Sequence, residues 1–262
     1  MYFTATSSKG PGVFRVPADG GVAEALIAGA PFTKPVGVAV STDGDRVLVA
    51  DSELETLRGE EGAVLAVPVA EDGATTPVDG TQGMGPRGVE VVSEGDEDVL
   101  YFTGRDAADG VPGVFKLPLD GRQPATPVLK GAPLADPDAV TVTRDGVAYV
   151  TDRGTSGTGE GGLFRVTGGA AERIVGIRAP AFAGVTLTFD ESTLLVSTLS
   201  PQGTDQVLLV DAETLRTATF SEVIGENRRG GGLHRAHRVD VFAWADLAAG
   251  PDRESRVYVL RP

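Results

Sequence analysis

Cysteine is absent from the 262 residues, which excludes disulfides, thiolate nucleophiles and cysteine zinc sites and leaves the redox compartment open. Histidine occurs twice, so a histidine-rich metal centre is excluded as well. Aromatic residues make up only 6% of the chain, and no run of about 18 apolar residues occurs, so no segment reads as a membrane-spanning helix. No basic-then-apolar start resembles a signal peptide, so the expectation is either a cytosolic protein or one whose export signal has been removed. Positive charge is also scarce: 23 Lys and Arg stand against 37 Asp and Glu, a formal charge of −14 spread along the chain. Attraction to a phosphate backbone or an anionic bilayer is therefore unfavourable, and the sequence argues against nucleic acid and membrane insertion as partners.

What is abundant is glycine (36) and proline (17), beside 41% hydrophobic residues, the composition of a turn-dense chain with enough apolar material for a core. A unit of about fifty residues recurs, and its clearest part is a strand, a polar loop and a second strand. The copies begin at Tyr2-Phe3-Thr4, Val47-Leu48-Val49-Ala50-Asp51, Leu100-Tyr101-Phe102-Thr103, Ala148-Tyr149-Val150-Thr151-Asp152, Leu194-Leu195-Val196-Ser197 and Val241-Phe242-Ala243-Trp244. Tight turns such as Ala18-Asp19-Gly20, Leu119-Asp120-Gly121 and Thr167-Gly168-Gly169 follow most of the loop-returning strands and lead to a fourth strand, with glycine supplying the positive φ. A short apolar strand then opens the next unit, as in Gly37-Val38-Ala39-Val40, Gly88-Val89-Glu90-Val91, Ala139-Val140-Thr141-Val142 and Gly184-Val185-Thr186-Leu187.

Four antiparallel strands per unit, apolar on both faces, favour radial packing of small sheets over a sandwich or a solenoid. The expected fold is all-β, a six-bladed β-propeller of four-stranded blades, with residues 1–262 as a single domain. The chain starts at a second strand and stops after a third. Either the complete protein extends further, or the first and last blades are each one strand short.

The phrase from Lys34-Pro35-Val36-Gly37 to Ser41-Thr42-Asp43-Gly44, closing on Val49-Ala50-Asp51, resembles the repeat of NHL-type propellers, and Gly88-Val89 and Thr151-Asp152 echo it. The same superfamily holds the senescence-marker and gluconolactonase-like lactonases, strictosidine-synthase-like proteins and many exported bacterial propellers. The resemblance implies the propeller fold and, through the exported members, a periplasmic or secreted protein whose signal has been removed. In the lactonase-like branch a divalent metal at the pore mouth is held by acidic and amide side chains just before or within the inner strands. The corresponding positions here are Val36, Arg87, Asp138, Ala183 and Gly231, of which only Asp138 offers a hard-cation ligand. No metal ligand is assigned on that basis, and the cofactor is left open.

Loops from second to third strand are long, as in Ser52 to Gly62, Gly104 to Pro112, Arg153 to Gly161 and Leu247 to Ser255, and long loops on a rigid scaffold are where binding concentrates. By repeat arithmetic Arg87 and Asp138 fall at the pore mouth. Glu90 and His234 replace the small residues Ala39, Thr141 and Thr186 within inner strands, either as an acid/base pair or as a buried glutamate paired with Arg87 or an amide and a histidine bonded to backbone. The stretch from Glu226 to Arg238, containing His237, gathers basic charge, either for a carboxylate or phosphate ligand or as a solvated loop. Asp51, Asp152 and Asp246 recur at the ends of second strands, where a carboxylate accepts backbone N–H bonds and fixes the following loop.

No Gly-x-Ser-x-Gly nucleophile motif occurs, and Gly154-Thr155-Ser156-Gly157-Thr158-Gly159 lacks the lysine of a phosphate-binding loop. No catalytic residue is assigned. Arg87, Glu90, Asp138, His234 and His237 are the binding candidates. The first functional expectation is a noncatalytic propeller holding a small molecule or a protein on its long-loop face, with the oligomeric state open. The alternatives are a metal-dependent lactonase or related hydrolase using Asp138, Glu90 and His234, and a purely structural assembly module.

Overall fold

The computed structural model describes residues 1–55, 59, 61–70, 73–154, 161–177, 184–199, 205–222, 230–246 and 256–261, and their secondary structure is entirely β and turn. The chain forms two compact halves, Met1–Gly131 and Ala132–Pro262.

The first half contains three antiparallel sheets. The first blade is β1 (Tyr2–Ser7), β2 (Gly10–Arg15) and β3 (Glu24–Ala28). The second runs β4 (Pro35–Val40), β5 (Arg46–Glu55), β6 (Glu61–Pro68) and β7 (Thr76–Pro77), and the third β8 (Val89–Glu94), β9 (Glu97–Arg105), β10 (Pro112–Pro118) and β11 (Thr126–Lys130). In each, neighbours in sequence are neighbours in the sheet.

The second half repeats the plan. The fourth blade is β12 (Pro137–Val142), β13 (Ala148–Asp152), β14 (Gly162–Thr167) and β15 (Ala170–Ile174), and the fifth β16 (Val185–Leu187), β17 (Thr193–Leu199), β18 (Asp205–Asp211) and β19 (Thr217–Glu222). The last, of three strands, is β20 (Gly230–Arg235), β21 (Phe242–Asp246) and β22 (Arg256–Leu260). The terminal blades thus have three strands each, as the starting and stopping points of the repeat require.

Alternation along each second strand explains why these sheets stack. Val47 and Val49 of β5 join Val13 of the first blade in one apolar cluster, while Leu48 and Ala50 join Leu100, Phe102 and Phe115 of the third blade in another. In β17, Leu194 and Val196 pack with Tyr149 and Leu163 of the fourth blade, and Leu195 with Phe242 and Trp244 of the sixth. Period-two side chains on a strand buried on both faces produce this division.

The register confirms the repeat alignment. Ala39 pairs Leu48, Glu90 pairs Tyr101, Thr141 pairs Tyr149, Thr186 pairs Leu195 and His234 pairs Ala243, so these inner-strand residues are equivalent. Two positions earlier stand Gly37, Gly88, Ala139, Gly184 and Gly232. A Cβ on Gly37 would lie 2.0 Å from the carbonyl oxygen of Arg87, and one on Gly184 would lie 2.2 Å from the amide nitrogen of Leu233. At Gly37 and Gly184 the backbone of the adjacent blade approaches too closely for any side chain, whereas Ala139 keeps its methyl at the equivalent position and a Cβ on Gly232 would meet nothing nearer than 3.9 Å.

The loop between second and third strands is shorter in the second blade than the sequence suggests. Strands β5 and β6 continue to the pair Glu55–Glu61, because the chain keeps its ladder past a register shift beyond Asp51. In the third blade the loop folds back on itself, with Asp106 N bonded to Val111 O at 2.9 Å and Lys130 Nζ bonded to Asp106 and Asp109 at 2.5 and 2.8 Å. Residues 155–160 and 247–255, where the other two long loops fall, lie outside the described residues.

Candidate binding site

The positions that open the inner strands are built from carboxylates one strand away. Asp51, at the end of the ladder shared by β4 and β5, accepts the amides of Thr33 (2.8 Å), Lys34 (2.9 Å) and Glu53 (3.3 Å). Asp152 does the same for Ala135 (2.8 Å), Asp136 (3.1 Å) and Gly154 (3.0 Å). Both carboxylates are fully buried, so each N–H they accept would otherwise be an unsatisfied donor in the interior. Burial pushes the Asp152 carboxyl above the usual aspartate range, against the opposing pull of its three amides. The structural role expected for Asp51 and Asp152 is what their bonds show; the Asp246 side chain lies outside the described residues.

Hydroxyls one residue earlier complete the fastening. Thr103, Thr151 and Ser197 accept the amides of Gly88, Ala139 and Gly184 at 2.8, 3.0 and 2.8 Å. The backbone from Arg87 to Val89 and from Asp138 to Val140 is thereby held before any side chain is considered.

In the first half, Arg87 is half-buried and its amide donates to Thr103 O at 3.0 Å, while its carbonyl presses on Gly37. Glu90 is half-buried between the buried Val89 and Val91, so it points to the opposite side of the strand from them.

In the second half, Asp138 belongs to a charged cluster. Its carboxylate faces Arg153 Nε at 3.9 Å, and Arg153 Nη2 bonds Asp136 at 2.8 Å. Asp138 and Arg153 are largely covered, with 16% and 20% of their side chains exposed, and Asp136 is the wettest member at 35%. At the wetter side of this cluster the Asp136 carboxylate offers hydrogen-bond acceptors to a ligand's hydroxyls or amines. Arg153 and Asp136 were not among the sequence candidates, although both flank features that were: Arg153 follows Asp152, and Asp136 stands two residues before Asp138.

His234 is half-buried on β20, and burial together with neighbouring His237 holds its imidazole down at about 4, so it is neutral near pH 7. His237 lies past the end of that strand, exposed in the turn from Ala236 to Asp240, at the far end of the strand from Gly230. Of the basic stretch beginning at Glu226, residues 226–229 lie outside the described residues.

The metal implied by the lactonase resemblance does not fit the side chains present. Val36 and Gly231 supply no ligand, Arg87 brings positive charge, and Asp138 is drawn to Arg153; Ala183 lies outside the described residues. Among the described residues no group of three or more His, Asp or Glu side chains converges as a metal-binding set.

No protein-family model matches the chain, and no curated protein matches it. Solved structures do. A chain of the nidogen/laminin complex aligns with a TM-score of 0.67 at 13% identity, covering 94% of this chain and 85% of that one. TolB from Acinetobacter baumannii aligns with a TM-score of 0.63 at 13% identity over 97% of this chain, which spans 60% of the TolB chain. A gluconolactonase from Xanthomonas campestris aligns with a TM-score of 0.63 at 16% identity, covering 95% and 78%. What is shared is the fold, a six-bladed β-propeller, and it is shared with proteins of unlike function.

Proposed function

We propose that this chain is a noncatalytic binding propeller that recognises its ligand at loop-side openings of the inner strands, with Arg87 as a polar contact in the first half and, separately, the cluster of Asp136, Asp138 and Arg153 in the second. One observation carries the reading: at the positions where the resembling lactonases hold metal, this chain places Val36, Arg87, Gly231 and an aspartate drawn to an arginine. Opposed charges of this kind serve recognition of a polar small molecule or a polar protein segment, not water activation by a cation. The kinship of fold with a chain from the nidogen/laminin complex, an assembly of two proteins by its name, is compatible with a protein ligand. On this reading residues 1–262 work as one domain in a periplasmic or secreted setting.

The test begins with protein purified without chelator. Elemental analysis should find no stoichiometric divalent ion, and lactones should not be hydrolysed. A thermal-shift screen of sugars, sugar acids and their lactones should return ligands whose effect is lost in Arg87→Ala or Asp138→Ala, each variant staying within roughly 1 kcal/mol of wild type in stability. One divalent ion per chain with Asp138-dependent lactone hydrolysis would replace this reading with the gluconolactonase-like one. A stability loss of several kcal/mol in both variants, with binding intact, would make those residues structural.

A further inference from the structure

We draw no further inference here: the strongest candidate, the edge of β1 in the first blade that faces away from β2, has no strand beside it among the described residues, and nothing in the structure shows what covers it.

Discussion

Thr42 gives both its backbone amide, at 3.1 Å, and its hydroxyl, at 2.6 Å, to the carboxylate of Asp98, fastening the turn after β4 to the neighbouring third blade. The equivalent amide of Arg144 bonds Glu191 in the fifth blade at 3.0 Å, and that of Phe189 bonds Asp240 in the sixth at 2.7 Å. A turn-tip N–H has no ladder partner of its own, so a carboxylate from the next blade both satisfies it and joins two sheets that share no strand hydrogen bonds.

Asp98→Ala should therefore lower unfolding free energy by about 1–2 kcal/mol, the worth of partly exposed charge-assisted bonds. Asp98→Asn, which keeps one acceptor oxygen, should lose less. Urea titration with an unchanged m-value is the measurement, and an Asp98→Ala midpoint equal to wild type would deny the joint any energetic role.

Glycine substitutions separate crowding from turn geometry. Gly37→Ala and Gly184→Ala push a Cβ to 2.0 and 2.2 Å from backbone atoms of the next blade and should cost about 3 kcal/mol or more. Gly44→Ala meets open space but a φ of +83°, and should cost only about 1–2 kcal/mol. Thermal melts of the three variants should rank in that order; equal losses would show that the inner strands relax apart.

Replacing Asp51 or Asp152 by Ala leaves three backbone donors without their acceptor, two of them in the segment leading into an inner strand. Each change should cost about 2–4 kcal/mol. It should also raise amide hydrogen exchange at Thr33 and Lys34 for Asp51→Ala, or at Ala135 and Asp136 for Asp152→Ala. Unaltered exchange there would separate these aspartates from the positioning of the site.

His234 makes stability depend on pH. The unfolded chain takes up a proton on this imidazole below about 6.5, whereas the folded chain does so only near 4. The stabilising contribution is full above 6.5 and is lost as pH falls through that window, by up to about 3 kcal/mol. His234→Gln should flatten the difference in unfolding free energy between pH 6.5 and 4 relative to wild type. An unchanged slope would mean that the ring titrates normally in the folded protein.

The strands, their antiparallel neighbours, the six-fold repeat and the three-stranded terminal blades were legible in the chain alone. So was the anchoring role of Asp51 and Asp152. All of these rest on period-two alternation, glycine turns and a carboxylate at a constant offset, which are relations between residues close in sequence or one repeat apart. Other features were decided by the tertiary structure: the pressure of the Arg87 carbonyl on Gly37, the claim of Arg153 on Asp136 and Asp138, and the approach of the Arg144 and Arg235 guanidinium groups to the ring of Phe189. The partners in the first and last lie on neighbouring blades, 50 and about 45 residues apart, and even Arg153 reaches its aspartates across a hairpin. Composition and pattern specify which faces are apolar, but which polar groups meet depends on how the twisted sheets pack, and no local signal carries that distance.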